Sequence, residues 1–352
     1  MLPSVNVDVM IQFLTELLNT PSPTGDTDRA IQWLEEKFAT SFATQPITLK
    51  RTPKGLLVVH WPGKKDNAPR GLTAHVDTLG AMVQQIKRNG RLRVTQLGGW
   101  SWTSVEGEGV TIFASNGQTY RGALLPTHAS IHAHASKDRN APRDNTNMEV
   151  RIDAITCSEK ETKELGIRVG DVIAFDPRVA VSETGFICSR HLDDKASIAC
   201  LYGAMLALAE AGLQPTQDSY FHISNYEEVG HGAATGFPPN LADLISIDMA
   251  VVAPQQTSDE HSVTICAKDS AGPYHMQLRR KLETLAETNN LRYATDIYPY
   301  YGSDGESFWR AGGDVRVALV GPGVDASHHY ERTHRDALDN TAKLLLAYLL
   351  SD

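Results

Sequence analysis

The chain has no paired set of cysteines. Its four, Cys157, Cys188, Cys200 and Cys266, lie far apart among 352 residues, and none shows the C-x-x-C spacing of a zinc knuckle or redox pair. Reduced thiols in a cytoplasmic protein are therefore expected. No run of about 18 apolar residues occurs, so no transmembrane helix is expected. The opening MLPSVNVDVMIQFL carries no Lys or Arg before its apolar stretch and is interrupted by Asp8, so it does not read as a signal peptide. A basic excess is missing too. The formal net charge of -9 argues against a general nucleic-acid binder, because counterion release from phosphates needs a basic surface. No Gly-x-Ser-x-Gly elbow appears, which disfavours a serine hydrolase. Gly321-Pro322-Gly323 is not followed by Gly-Lys-Ser/Thr and so makes no P-loop.

What is present is the composition of a globular chain, 41% hydrophobic and 21% charged, long enough for one large domain or two ordinary ones. Helices are predicted over residues 6–19 and 26–38, separated by the breaker Pro21-Ser22-Pro23-Thr24-Gly25. Apolar runs at 56–60 and 72–76 read as buried strands. From about residue 92 the texture changes to short β-rich runs, at 110–113, 122–125, 150–152 and 172–175, punctuated by Gly and Asn turns. After Arg190, helices (196–211, 273–288, 336–350) alternate with strands (220–224, 244–247, 315–320). That alternation predicts an α/β fold with helices on both faces of a sheet, interrupted once by a small inserted β-barrel. The expected domains are 1–91 with 183–352, and an insertion over 92–182.

Five segments place acidic residues or histidines beside predicted strand ends, where open α/β sheets hold their ligands. The first is Ala74-His75-Val76-Asp77, whose imidazole could bind metal while the carboxylate orients it. The second, His191-Leu192-Asp193-Asp194-Lys195, leads into a helix, and its acids could equally be caps. The third is Tyr226-Glu227-Glu228-Val229-Gly230, two adjacent glutamates that are costly to bury uncompensated. Their side chains diverge, so one could hold metal while the other acts as a base. Asp248, after an apolar run, is the fourth, and Ser327-His328-His329-Tyr330-Glu331 the fifth. Singly each could be a loop or cap. Together they supply a complete dinuclear set.

That ordered set resembles the co-catalytic metallopeptidases, and the M42 glutamyl and tetrahedral aminopeptidase family in particular. AHVDTLGAMV is similar to the family's first-ligand segment, LDDK to its bridging-Asp segment, EEVG to its glutamate pair and ISIDMA to its fourth-ligand strand. The wide separation of His75 from Asp193 by a β-rich insertion also resembles M42 and the longer M18 aminopeptidases, and the modest length favours M42. Lys195 stands where the family usually has arginine, and the late segment SHHYERTH departs from its usual His-Ser-Pro type. The stretches Glu183 to Arg190 and Ala326 to His334 look like an M42 branch associated with an osmoprotectant dipeptide system.

The resemblance implies a three-layer α/β/α metallopeptidase domain whose inserted barrel serves assembly. It implies two divalent ions, zinc or cobalt, bridged by Asp193, with His75, Glu228, Asp248 and His328 completing the ligands. Either His328 or His329 could be the last ligand, and the family pattern favours His328. Glu227 is implied as general base toward a hydroxide held between the ions, with Asp77 orienting His75. A homo-oligomer, with twelve subunits as the family expectation, removing residues from free peptide N-termini follows. A deacylase or carboxypeptidase on the same site, and a non-catalytic binding protein, are the competing readings. His128, His132 and His134 alternate with small residues, which would put His132 and His134 on one strand face, and structural or surface use is expected for them.

Overall fold

The structure, a computed structural model, describes residues 2–352. The chain forms two compact units: residues up to Asp77 with Val179–Asp352, and Thr78–Arg178 between them. The insertion was expected to begin at residue 92. The strand Gly80–Ile86 already belongs to the barrel, pairing with both Leu92–Leu97 and Val172–Phe175, so the boundary falls at Thr78. Read from sequence, GAMVQQI continues the apolar run that precedes it, and nothing local marks the change of sheet.

The larger unit is built on a twelve-stranded sheet. At its centre Gln217–Ser224, Lys65–His75, Asp243–Ile247 and Arg316–Asp325 run parallel in that order. Burial on both faces follows the two-residue period of a strand. Ile245, Ile247, Ala318 and Val320 join the core under the helices Val7–Leu18, Leu192–Glu210 and Arg335–Leu350. The alternate residues Leu244, Val317 and Leu319 face a second core with Phe237, Phe308 and Trp309. Parallel strands put their carboxyl ends at one edge of a sheet, and His75, Ser224 and Ile247 are the last residues of three of these strands. Each strand therefore hands its following loop to the same region.

The smaller unit is a closed barrel, ordered Gly80–Ile86, Leu92–Leu97, Met148–Ile152, Thr119–Pro126, Gly109–Phe113 and Val172–Phe175. Closure leaves no free strand edge, and its interior holds a separate core including Val83, Ile112, Leu124 and Ile173. The expected alternation of His132 and His134 on a strand is not what forms. Residues 127–135 are turns and irregular backbone, and His128 and His134 instead bring their rings together, with centroids 4.7 Å apart.

Candidate metal centre

His75 ends its strand almost fully buried. Its Nδ1–H donates to the Asp77 carbonyl at 2.9 Å, which leaves Nε2 facing Asp193 Oδ1 at 3.1 Å and Glu227 Oε2 at 3.7 Å. That second-sphere bond selects the tautomer a metal-binding histidine needs. The Asp77 carboxylate was expected to orient His75, but the ring Nδ1 lies nearer the Asp77 backbone carbonyl, at 2.9 Å, than its carboxylate, at 3.5 Å. Its carboxylate, 3.5 Å from the ring, accepts the backbone N–H groups of Glu227 (3.2 Å) and Glu228 (3.3 Å) and the Thr24 hydroxyl (2.8 Å).

Asp193 sits at the mouth of the Leu192–Glu210 helix, where His191 is left-handed and Asp193 and Asp194 are non-helical. This irregular start frees the Asp193 side chain from capping. Its two oxygens face different partners: Oδ1 meets His75, and Oδ2 meets His328 Nε2 at 3.4 Å. His328 also lies 3.7 Å from Glu228 Oε2. His329 is exposed, with Nδ1 on the Ser327 carbonyl, so of the two histidines only His328 joins the cluster. Two sets of donors converge, His75 with Glu227 and Asp248, and Asp193 with Glu228 and His328, while Asp193 also lies close to Asp194 and Asp248. His191, Tyr226, Ala326 and His328 are non-glycine residues with φ between 59° and 71°. Left-handed backbone of this kind costs of order 1 kcal/mol per residue and gathers where side chains must be aimed.

Burial dominates the electrostatics. It pushes Glu228 up to about 8, aided by the Asp193 charge, and Asp248 likewise up to about 8. Glu227 and Asp194 are raised well above the carboxylate range by burial and neighbouring acids. For Asp193, burial is outweighed by hydrogen bonds from His328 and His75, which hold its carboxyl low. Glu228 Oε1 and Asp194 Oδ1 are buried with no hydrogen-bond partner. A crowd of carboxylate and imidazole donors within 4.8 Å of one another, with two buried oxygens lacking a hydrogen-bond partner, fits cations. The 3.1–3.7 Å spacing between donors suits edges of a coordination shell with bonds of about 2.0–2.2 Å.

Two further acids were not singled out as site residues. Glu331 is buried and accepts the N–H of Asp193 (3.1 Å) and of His328 (3.0 Å), tying together segments far apart in sequence. Asp304 accepts from Ser224, Ala233 and Thr73, holding the loop that carries Glu227 and Glu228. Glu331 stood within the late His segment, but only tertiary contacts reveal which N–H groups it takes. Among the described residues, one more His and Asp group, His261, His334 and Asp336, lies elsewhere. There His334 Nδ1 already accepts the Asp336 N–H as cap of the Arg335–Leu350 helix, and Nε2 meets the Thr184 carbonyl.

The M42 glutamyl aminopeptidase family pattern matches residues 55–344, a span that takes in every residue of this cluster. The chain belongs to that family. It is thus a peptidase hydrolase of a metallopeptidase family, carrying clusters of carboxylates and imidazoles able to hold metal. The candidate aminopeptidase YhfE of Bacillus subtilis (strain 168) is 43% identical over 341 residues, 97% of either chain. A TET aminopeptidase from a marine sediment Thaumarchaeota archaeon shares the fold at a TM-score of 0.86 and 16% identity, over 97% of both chains. The TET1 peptidase of Pyrococcus horikoshii, which can assemble into a tetrahedron or a large octahedral shell, does so at 0.82 and 21%, over 97% of this chain and all of that one. No helix of this M42 peptidase's described residues is long and apolar enough to cross a membrane.

Proposed function

We propose that the chain is a two-metal aminopeptidase that removes residues one at a time from the free N-termini of short peptides. The observation that carries this reading is the divided carboxylate of Asp193, one oxygen toward His75 and the other toward His328. Asp193 would bridge two divalent ions, zinc or cobalt, with His75 and Asp248 on one and Glu228 and His328 on the other. Bound there, the ions would supply Lewis acidity toward the scissile carbonyl and the attacking water.

The chain's own residues do the rest. Glu227 stands beside His75 with its backbone fixed by Asp77, placed to take a proton from water at a carboxylate oxygen. As the C–N bond breaks, the same oxygen returns that proton to the leaving amine, giving one free amino acid and a shortened peptide. Glu331 and Asp304 hold the ligand-bearing segments through backbone N–H bonds and touch no substrate. A homo-oligomer assembled through the barrel unit is part of this reading, supported by the assemblies of the Pyrococcus horikoshii neighbour.

Matched short peptides with free and acetylated N-termini test the proposal, using protein stripped by chelator and reloaded with zinc or cobalt. Cleavage confined to free amines, lost on stripping and restored on reloading, is expected. Glu227→Gln should lower kcat by about 10³-fold while two metal equivalents remain bound. Normal turnover in that variant removes Glu227 as base, and cleavage of the blocked series alone makes the protein a deacylase.

A further inference from the structure

The breaker Pro21-Ser22-Pro23-Thr24-Gly25 has no part in the chemistry described above, yet the short connection that holds it touches three separate segments of the metal cluster. It runs between the helices Val7–Leu18 and Asp28–Ser41, whose Leu14, Leu17, Ile31 and Leu34 are buried in the main core, so both of its ends are fixed. Pro21 and Pro23 restrict its backbone, and a turn closes from the Asp26 N–H to the Pro23 carbonyl at 2.8 Å. At its start the buried Lys195 Nζ donates to the carbonyls of Leu17 (3.0 Å) and Thr20 (2.7 Å), two residues along the chain from Asp193. In its middle the buried Ser22 hydroxyl donates to the Val76 carbonyl at 2.7 Å. The Val76 N–H goes to the Ser224 carbonyl at 3.0 Å, so the backbone between His75 and Asp77 is held from both sides. At its end the Thr24 hydroxyl donates to Asp77 Oδ2 at 2.8 Å. Gly25, at φ 86°, brings its N–H to 3.5 Å from Asn225 Oδ1, two residues before Glu227.

An aspartate carboxylate turns in a broad well about its last bond, so its partners decide where its oxygens point. The Glu227 and Glu228 N–H groups approach Asp77 at 3.2 and 3.3 Å, at the long end for such bonds, while the Thr24 bond has the ordinary length for a hydroxyl donor. We propose that this connection is a brace of the metal centre, and that Thr24 is a positioning residue that fixes the Asp77 carboxylate and, through it, the backbone of Glu227. This rests on the role of base given to Glu227 above. Without the hydroxyl the Asp77 carboxylate is free to turn, the Glu227 N–H loses its fixed acceptor, and the base is left poorly aimed. The effect falls on turnover more than on metal binding, because the hydroxyl acts on Asp77, which is not among the candidate ligands.

The test compares the metal-loaded parent with Thr24→Val, Thr24→Ser and Ser22→Ala on a peptide that the parent cleaves, separating kcat from KM, counting bound metal by elemental analysis and measuring Tm. Thr24→Val keeps the shape of the side chain and removes its donor, and should lower kcat about 10-fold with KM within about twofold and metal content unchanged. Thr24→Ser keeps the hydroxyl and should return kcat to within about twofold of the parent. A hydroxyl that serves only the fold would lower Tm in Thr24→Val and leave kcat alone, and that result overturns the proposal. So does a Thr24→Ser variant as slow as Thr24→Val, which would assign the effect to packing, or a Thr24→Val variant slowed through loss of metal. If Thr24→Val does not fold, Ser22→Ala decides in its place: kcat about 5-fold lower at unchanged metal content supports the brace, and kcat within about twofold of the parent overturns it. Normal turnover in Glu227→Gln would remove the role of Glu227 and this proposal with it. Normal turnover in Thr24→Val beside an inactive Glu227→Gln removes the brace alone.

Discussion

Replacing Glu331 by glutamine should loosen metal binding without touching a ligand. The carboxylate accepts two buried backbone N–H groups, those of Asp193 and His328, at 3.1 and 3.0 Å. A hydrogen bond to a charged acceptor contributes about 1.5–3 kcal/mol, and an unpaired buried N–H costs about 1–3 kcal/mol. Glutamine keeps one accepting oxygen and turns an NH2 toward the other donor, so one bond is lost and one N–H is left facing a donor. The sum is about 2.5–6 kcal/mol. Burial and the Asp193 charge push Glu331 up to about 8 in the metal-free chain. Glutamine is a fair copy of the protonated acid, so the stripped protein should tolerate the change. Cations beside Asp193 would favour the ionised Glu331, so the loss concentrates in the metal-bound state. Competition against a fluorescent chelator near neutral pH should therefore show metal affinity reduced by about 50-fold or more. Circular dichroism of the stripped variant should match the parent. Affinity within twofold of the parent would show that the two N–H bonds do not position the ligands, and would refute the reasoning.

Gly321→Ala would set a Cβ 1.7 Å from the Asp248 carbonyl oxygen, so the strand must shift at a candidate ligand. We expect a loss above about 2 kcal/mol and depleted metal by elemental analysis, and unchanged metal content with Tm within about 2 °C would contradict it. Asp77→Asn leaves one of the Glu227 and Glu228 N–H groups facing an amide N–H, and about 2 kcal/mol of misplacement predicts kcat down roughly 30-fold with KM little changed. A steady-state comparison showing only a KM effect would refute that role. His222 is lowered to about 4 by burial, the Thr235 carbonyl bond only partly offsetting it. A depressed folded value stabilises fully above the unfolded value near 6.5, and this is lost as pH falls from there through about 4, roughly 3 kcal/mol in all. Urea midpoints of the metal-free parent should fall more steeply between pH 7.5 and 5 than those of His222→Gln, and parallel curves would refute it.

The alternation of apolar runs with amphipathic helices gave the layered fold because parallel strands buried on both faces read as continuous Val, Ile and Leu. The acidic and imidazole positions were legible because a buried charge at a strand end needs a reason in any fold. What escaped was whatever acts through the backbone. Asp77 works through its carbonyl on one side and two distant N–H groups on the other, a division no sequence pattern encodes. Glu331 and Asp304 are ordinary acids until the fold brings buried donors to them. The barrel's first strand was assigned to the wrong unit for a related reason. Which sheet an apolar run joins is decided by its pairing partners, here residues 92–97 and 172–175. The His132 and His134 alternation is a period-two pattern set among Ala129, Ser130, Ala133 and Ala135, and Ile131 is its one β-branched neighbour, too little to make a strand.

The Phe186–Ser189 strand pairs antiparallel with Glu331–His334, Ser189 lying opposite Glu331, only a few residues before Asp193. That pairing has a consequence for biosynthesis. Roughly eighty residues separate Asp248 from His328, so on the ribosome, at about 5–20 residues per second, His75, Asp193, Glu227, Glu228 and Asp248 have all been made for several seconds before His328 and Glu331 exist. Until that last strand docks, the Asp193 N–H has no acceptor, and the second set of donors lacks its imidazole. A nascent chain at that stage has made five of the six residues in the two donor sets and waits for its last histidine.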